Sequence, residues 1–454
     1  MISKRVLRAG TFAAIALFAA TPAFAESLRD ALASAYANNP QIASALLSVK
    51  MSAEDIATRK AGKLPTIAAS AEMKSSWTVS GGPGTSNQSS SVGLSYSQTL
   101  FDNLVTDAQI ESARAYSVVA KEGLRTAEQN VLLSAASAYL DVVTNTKLVQ
   151  LRAENVKFLQ AQVQSSNDRL DIGEGTRIEV SQADASLASA IASYKSAIAN
   201  LQTSQASYQR WIGHKPQNLS LDYSFNGILP GSIDQAQSSA DSSHPEILAA
   251  KAQLRAAQAA SDAAERAFGP TLKLIGSIGG SFSSPGTGTY TSTGTGSVGL
   301  TLSVPLYAGG ALGAGARKAN LGQIQSEIDA LSVRDRIRAQ VISSWSSLQN
   351  AAAQIDAAQS SVRANEQVLN GVIEERNVGQ STTLDVLDAR AKLTSAQEGL
   401  IGAQTSRIAA GFNLMAAAGR LSARELGLPV QIKSADGYIK NIEDVWQELR
   451  SVAN

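Results

Sequence analysis

Residues 296–307 read GSVGLTLSVPLY. Val298, Leu300, Leu302, Val304 and Leu306 alternate with Gly299, Thr301, Ser303 and Pro305. A period of two with one apolar face predicts a strand. Just upstream, Leu272, Leu274 and Ile278 share a face, with Ile275 blurring the other. The first half of the chain repeats the pattern. Ile67, Ala69, Ala71 and Met73 alternate with Thr66, Ala68, Ser70, Glu72 and Lys74, and Val92, Leu94 and Tyr96 alternate with Gly93, Ser95 and Ser97. Strands are therefore expected at about 64–78, 90–101, 271–283 and 296–307. Each has about the ten residues that a tilted strand needs to cross a bilayer.

Trp77 and Phe282 stand at the far ends of the first strands, and Phe101 and Tyr307 at the near ends of the second. That placement resembles the aromatic girdles of a membrane barrel. The tips, 81–91 and 283–296, are rich in Gly, Ser and Thr and read as external loops. Four strands with one apolar and one polar face would make a poor soluble core, so the sheet is expected in lipid.

The two halves are copies. Gly173 and Gly379, Phe101 and Tyr307, and Gly213 and Gly419 are each 206 positions apart, while Asn39-Pro40 and His244-Pro245 are 205 apart. A steady offset over most of a chain marks a duplicated unit. The expected units are 26–219 and 238–425, joined by a linker at 220–237 and followed by a segment at 426–454.

Each unit also carries a long helical hairpin. From Asp102 to Leu170 there is no proline, and the only glycine is Gly123. Val142, Val149, Val156, Val163 and Leu170 recur every seven residues, and Leu348, Ile355, Val362 and Leu369 repeat the register. That is a coiled-coil seam. Such a helix would run about 100 Å. Glycine turns at 171–175 and 377–381 then reverse the chain, giving hairpins at about 102–212 and 308–418.

The ends and composition narrow the class. Lys4, Arg5 and Arg8, an apolar run from Thr11 to Ala20, and Ala23-Phe24-Ala25 read as a secretory signal peptide over 1–25. After it no apolar stretch is long enough for a membrane helix. The absence of cysteine excludes disulfides and thiol chemistry, and two distant histidines argue against a metal site. His244 reads as a helix-entry residue. A net charge of +1 without a basic block excludes nucleic acid as a partner. No catalytic set, metal cluster or phosphate loop is legible, so neither an enzyme nor a cofactor is expected.

Four strands cannot close a barrel, and open edges are forbidden in lipid. The barrel must be shared between copies. Three copies give about twelve strands, and about twelve helices beneath them can form a hollow tube. The fold class expected is thus mainly α with a β membrane part.

These features, with Val378-Gly379-x-x-Thr382-x-x-Asp385-Val386-Leu387-Asp388-Ala389, resemble the TolC-type outer-membrane efflux family. The resemblance covers roughly 26–426. It implies a homotrimer with a twelve-stranded barrel in outer-membrane lipid and a helical tube crossing the periplasm. It also implies docking on a periplasmic adaptor and an inner-membrane pump, for drug efflux or type I protein export. Asp385 and Asp388 are implied to line the periplasmic entrance. Three residues apart on a helix, they share a face, and three-fold symmetry would gather six carboxylates that attract cations. Asp385 also suits the first helical turn as a partner of the helix dipole.

Thr176-Arg177-Ile178-Glu179 reads as a capping box. The family's entrance latch positions hold Arg376 and Ser381 here, and Arg376 with Glu179 is the expected replacement pair. Gly173, Gly175 and Gly379, at the helical tips, are the expected adaptor-docking points. Tyr438, Ile442, Val445, Trp446 and Leu449 suggest an apolar stripe packed around the tube at mid-height, beside the linker. The rival reading is a soluble periplasmic coiled-coil structural or adaptor protein, which explains the heptads but not the paired strands.

Overall fold

The computed structural model describes residues 26–442, apart from 80, 83, 226 and 286–290. The expected leader, and Val445, Trp446 and Leu449, lie outside the described residues. The elements run α1 (Leu28–Asn38), α2 (Pro40–Lys60), β1 (Thr66–Thr78), β2 (Thr85–Phe101), α3 (Val105–Asp171) and α4 (Arg177–Ile212). The second half follows as α5 (Ile233–Ser243), α6 (Pro245–Arg266), β3 (Thr271–Pro285), β4 (Thr291–Ser303), α7 (Ala311–Asn377), α8 (Thr383–Ala417) and α9 (Asp436–Ile442). α3 and α7 each hold 67 residues, so the duplication read from the sequence extends to helix length.

At about 1.5 Å per residue, α3 runs roughly 100 Å but the 36-residue α4 only about 54 Å. α4 lies along the later part of α3, where Arg152 Nη1 donates to the Ser193 carbonyl at 3.1 Å. The flank left uncovered is taken by α2, whose Ser52 hydroxyl lies 3.4 Å from that of Ser117 on the early part of α3. α6 borders the same part, with Ser112 Oγ donating to the Ala256 carbonyl at 3.1 Å. Four helices therefore stand side by side at each level: α2, α3, α6 and α7 near the sheet, and α4, α3, α8 and α7 away from it.

Along α7 the inward line is Val341, Ser344, Leu348, Ala351, Ile355, Ala358, Val362, Asn365 and Leu369, in alternating steps of three and four. This is the predicted seam. On α3, Val142 is buried as expected, while Val149, Val156, Val163 and Leu170 are half-buried. The deeper line near the tip is Leu159, Gln162 and Ser166.

The main core sits at mid-height, around Val131–Val143 of α3. Leu28, Leu32 and Tyr36 of α1, Tyr208 and Ile212 of α4, and Phe412 and Met415 of α8 converge there. The linker joins this belt through Tyr223 and Phe225, whose rings lie 5.2 Å from that of Phe412. Leu421, Leu426 and Leu428 pack into the same core, and the Tyr438 hydroxyl donates to Glu54 Oε1 on α2 at 2.7 Å.

The four strands form one antiparallel meander in the order β1-β2-β3-β4. Their bounds differ from the expected ones at the outer end. β2 begins at Thr85 and pairs there with Thr78, β3 continues to Pro285, and β4 starts at Thr291. Ser, Thr and Asn hydroxyls and amides leave the backbone ladder intact, so the strands extend beyond their apolar stretch. At the inner end β4 stops at Ser303, because Pro305 has no N–H to continue a ladder. Tyr307 is thus four residues past the strand it was expected to end.

The joints between strand and helix also match. Asn103 and Leu104 have φ of 56° and 64°, and Gly309 and Gly310 have φ of 61° and 84°. Two successive left-handed residues swing the chain from the sheet into the long helix in both units.

Candidate functional site

Cross-strand register decides what the sheet can do. Residues directly opposite each other share a face. One face carries the rows Ile67–Tyr96–Gly276–Val298, Ala69–Leu94–Ile278–Gly296 and Met73–Ser90–Phe282–Ser292. The other carries Ser70–Gly93–Gly279–Thr295 and Thr66–Ser97–Ile275–Gly299. One side is therefore apolar, and the other is mostly Ser, Thr and Gly with the charged side chains Glu72, Lys74 and Lys273 among them. Met73, Val298 and Leu300 are 91%, 83% and 65% exposed, a continuous apolar surface that water would penalise. Among the described residues no helix is long and apolar enough to cross a membrane.

Of the expected girdle residues, Trp77 is opposite Ser86, while Phe282 is opposite Ser90. Phe282 thus lies four residues nearer the helices than Trp77. Phe101 ends β2 beyond a register shift and faces Leu272. All four aromatics, Tyr307 included, are exposed.

At the opposite end of the molecule the glycine turns are as expected. Gly173 and Gly379 have φ of 80° and 77°, which lets each chain reverse between helices. In the first turn the N–H groups of Glu174 and Gly175 both donate to the Arg169 carbonyl at 2.9 Å. Asp385 is the third residue of α8. Its Oδ2 accepts from the Thr382 N–H at 2.8 Å, the Thr382 hydroxyl at 2.6 Å and the Ser381 hydroxyl at 3.1 Å. These bonds hold its carboxyl below the usual range. Glu179 plays the corresponding part on α4, accepting from Thr176 N–H at 3.3 Å while its own N–H donates to Thr176 Oγ1 at 3.2 Å. The capping box predicted for Glu179 is therefore present, and Asp385 builds a second one.

Asp388, one turn on, is exposed beside a groove lined by Arg152, Asn155, Leu159, Ala190 and Arg390. The structure does not bring Arg376 to Glu179. Its Nη1 donates to Gln162 Oε1 on α3 at 2.9 Å, and Glu179, engaged in its cap, acts only through its field. Ser381 lies with Asp385 and not with Arg376.

The bonds that clasp the second hairpin to the first were not legible in sequence. Arg390 Nε donates to Asn155 Oδ1 at 2.9 Å and its guanidinium lies 4.7 Å from the Phe158 ring centre. Arg152 Nε donates to Glu398 Oε1 at 2.7 Å. Polar residues on the seam-facing side of α3 were the signal available for them.

Comparison with known proteins agrees with this geometry. Residues 31–214 and 236–420 match the family described as Outer membrane efflux protein, once per unit. The chain is 36% identical to outer membrane efflux protein BepC of Brucella suis, over 99% of this chain and 97% of that one. It is 22% identical to outer membrane protein TolC of Escherichia coli, over 88% and 84% of the two chains. Among solved structures, the CmeC outer membrane channel of Campylobacter jejuni superposes with a TM-score of 0.75 at 17% identity, covering 92% of this chain and 89% of that one. The fold is therefore that of the outer-membrane channels, and the soluble coiled-coil reading falls. On its sequence, its twin hairpins and its two-faced sheet, this chain belongs to the outer membrane efflux protein family.

Proposed function

We propose that three copies of the chain close into a twelve-stranded barrel in outer-membrane lipid, set on a tube of twelve helices that reaches into the periplasm. The assembly is a continuous exit duct for drug efflux or type I protein export. The observation that carries this reading is the meander with one apolar face and two unpaired edges, β1 and β4. Lipid cannot satisfy those edges, and copies arranged in a ring can. The helices support it: Leu321, Ile324, Ile328 and Leu331 form a stripe on α7 that is 46–65% exposed in one copy. A neighbouring copy would cover it.

Within this assembly the apolar face meets lipid, with Trp77, Phe101, Phe282 and Tyr307 at its borders. The polar face, rich in Ser, Thr and Gly and carrying Glu72, Lys74 and Lys273, lines the pore. Asp388, and with it Asp385, forms an acidic ring at the periplasmic entrance. The tips at Gly173, Gly175 and Gly379 are where a periplasmic adaptor docks, bringing the inner-membrane pump to the duct. BepC is named an efflux protein, and AprF of Pseudomonas aeruginosa, 25% identical, is an alkaline protease secretion protein. Both cargo classes suit a wall made mostly of small polar residues.

Imaging of detergent-purified particles tests the architecture. A three-fold tube longer than about 100 Å is expected, and a monomer soluble without detergent would overturn it. In planar bilayers Asp388→Asn is expected to weaken block by multivalent cations. Unchanged block with both Asp385→Ala and Asp388→Ala in place would remove the acidic ring.

A further inference from the structure

Near the tip, α3 presents Gln162, Ser166 and Arg169 to the second hairpin, one helical face at steps of four and three. Arg376 of α7 reaches the same place through its bond to Gln162 Oε1 at 2.9 Å. Four polar atoms there are buried and have no hydrogen-bond partner within one copy of the chain: Gln162 Nε2, Ser166 Oγ, Arg169 Nε and Arg376 Nε. Gln162 and Ser166 are only 7% and 1% exposed. Every one of the four can donate, and none but the Ser166 hydroxyl can accept. A buried donor without a partner is costly, and natural proteins avoid leaving several together.

The cluster also breaks the internal symmetry. Positions 206 further on, at the matching place in the second unit, are Val368, Val372 and Glu375, and the counterpart of Arg376 is Leu170. Val368 and Glu375 are exposed, so the second unit does not repeat the buried polar cluster. The first unit instead assembles two guanidinium groups, an amide and a hydroxyl. Arg169 and Arg376 repel each other, and Glu179, whose carboxylate is held in its cap, offsets that only through its field. A water molecule would satisfy donors but add nothing against the repulsion between the two guanidinium groups.

We propose that this cluster binds a small inorganic anion of the halide class, chloride in the periplasm, which ties α7 to α3 just above the tip turn. The anion accepts from the two Nε–H groups, the Gln162 amide and the Ser166 hydroxyl. Because the Arg169 carbonyl anchors the Glu174-Gly175 turn, occupancy also stiffens that tip.

The test uses the full chain in detergent. Thermal unfolding is compared in sodium chloride and in sodium gluconate of equal ionic strength, gluconate being too large for a buried site. A saturable rise of roughly 2–4 °C with chloride is expected. Arg169→Gln, and separately Ser166→Val with the residue of the second unit, should abolish the chloride dependence. Crystals soaked in bromide should show an anomalous peak between Arg169 and Arg376 in the unmodified protein, which keeps the test independent of whether a variant folds. Equal stability in the two salts would overturn the site. So would a chloride response that survives Arg169→Gln, an empty bromide map at the cluster, or a carboxylate of a neighbouring copy seated on Arg169.

Discussion

Asn39 and His244 do the same job one unit apart. Asn39 Oδ1 accepts from the Gln41 N–H at 2.9 Å, and His244 Nδ1 accepts from the Glu246 N–H at 3.2 Å, each capping a helix that starts with proline. Only one of the two caps can be lost to a proton.

That difference predicts acid sensitivity. Burial among Arg125 and Arg336 lowers the His244 pKa, partly offset by Glu246. A base whose folded pKa is depressed stabilises the fold above its ordinary value near 6.5, and the contribution fades as pH falls below it. Protonated Nδ1 cannot accept, so the cap goes too. His244→Asn, the residue used in the first unit, should leave stability near pH 8 little changed and raise it at pH 5 by about 1 kcal/mol. Chemical denaturation at the two pH values checks this.

Leu104 occupies the left-handed region where the second unit has Gly310. A branched side chain there costs about 1–2 kcal/mol. Leu104→Gly is therefore expected to stabilise the fold by up to about 1 kcal/mol, the remainder being offset by the freer unfolded chain. Gly310→Leu should cost about 1–2 kcal/mol. Thermal unfolding of both variants under one condition gives the comparison.

Tyr139 is almost fully buried, and its hydroxyl lies 2.7 Å from the carbonyls of both Glu26 and Ser220 while accepting the Ser220 N–H at 3.0 Å. Tyr139→Phe would leave that N–H unpaired and loosen the linker from the belt, at about 1–3 kcal/mol. Burial pushes the Tyr139 phenol up to about 12. Raised above its unfolded value of about 10, it stabilises the fold below that pH and ceases to do so as pH rises toward the folded value. The variant should show a flatter loss of stability in that alkaline window.

The exposed stripe on α7 gives a test of assembly. In the proposed trimer a charge placed at Ile328 would have to be buried unpaired between copies, at a cost of several kcal/mol. Ile328→Asp should reduce the trimer fraction more than tenfold in native mass measurements while far-UV circular dichroism remains helical. A trimer of undiminished strength would show that the stripe faces lipid, detergent or water instead.

Much of this architecture was legible because it rests on periodicity. The heptads of α7 and the alternation at 298–302 state their partners' direction residue by residue. The outer strand ends, 85–90 and 291–296, escaped because Ser, Thr, Gly and Asn provide no contrast between faces. α2 and α6 were announced by Asn39-Pro40 and His244-Pro245, but only the shortfall of α4 against α3 reveals why they are needed. The clasp was the least readable part. Arg376 and Gln162 are 214 positions apart, and nothing local in either stretch names the other. Glu179 was the more obvious electrostatic match for Arg376, and its capping box had already claimed it.

β1 and β4 leave this sheet unfinished on both sides, and that has a consequence for inheritance. In the proposed ring a substitution that spoils either border does not harm its own bearer alone, since the fault is passed to whichever sibling must dock against it. In a cell making two versions of the chain, mixed rings would leak at their worst seam. Damaging changes at these borders should therefore behave as dominant alleles, whereas comparable damage inside the mid-height belt should remain recessive.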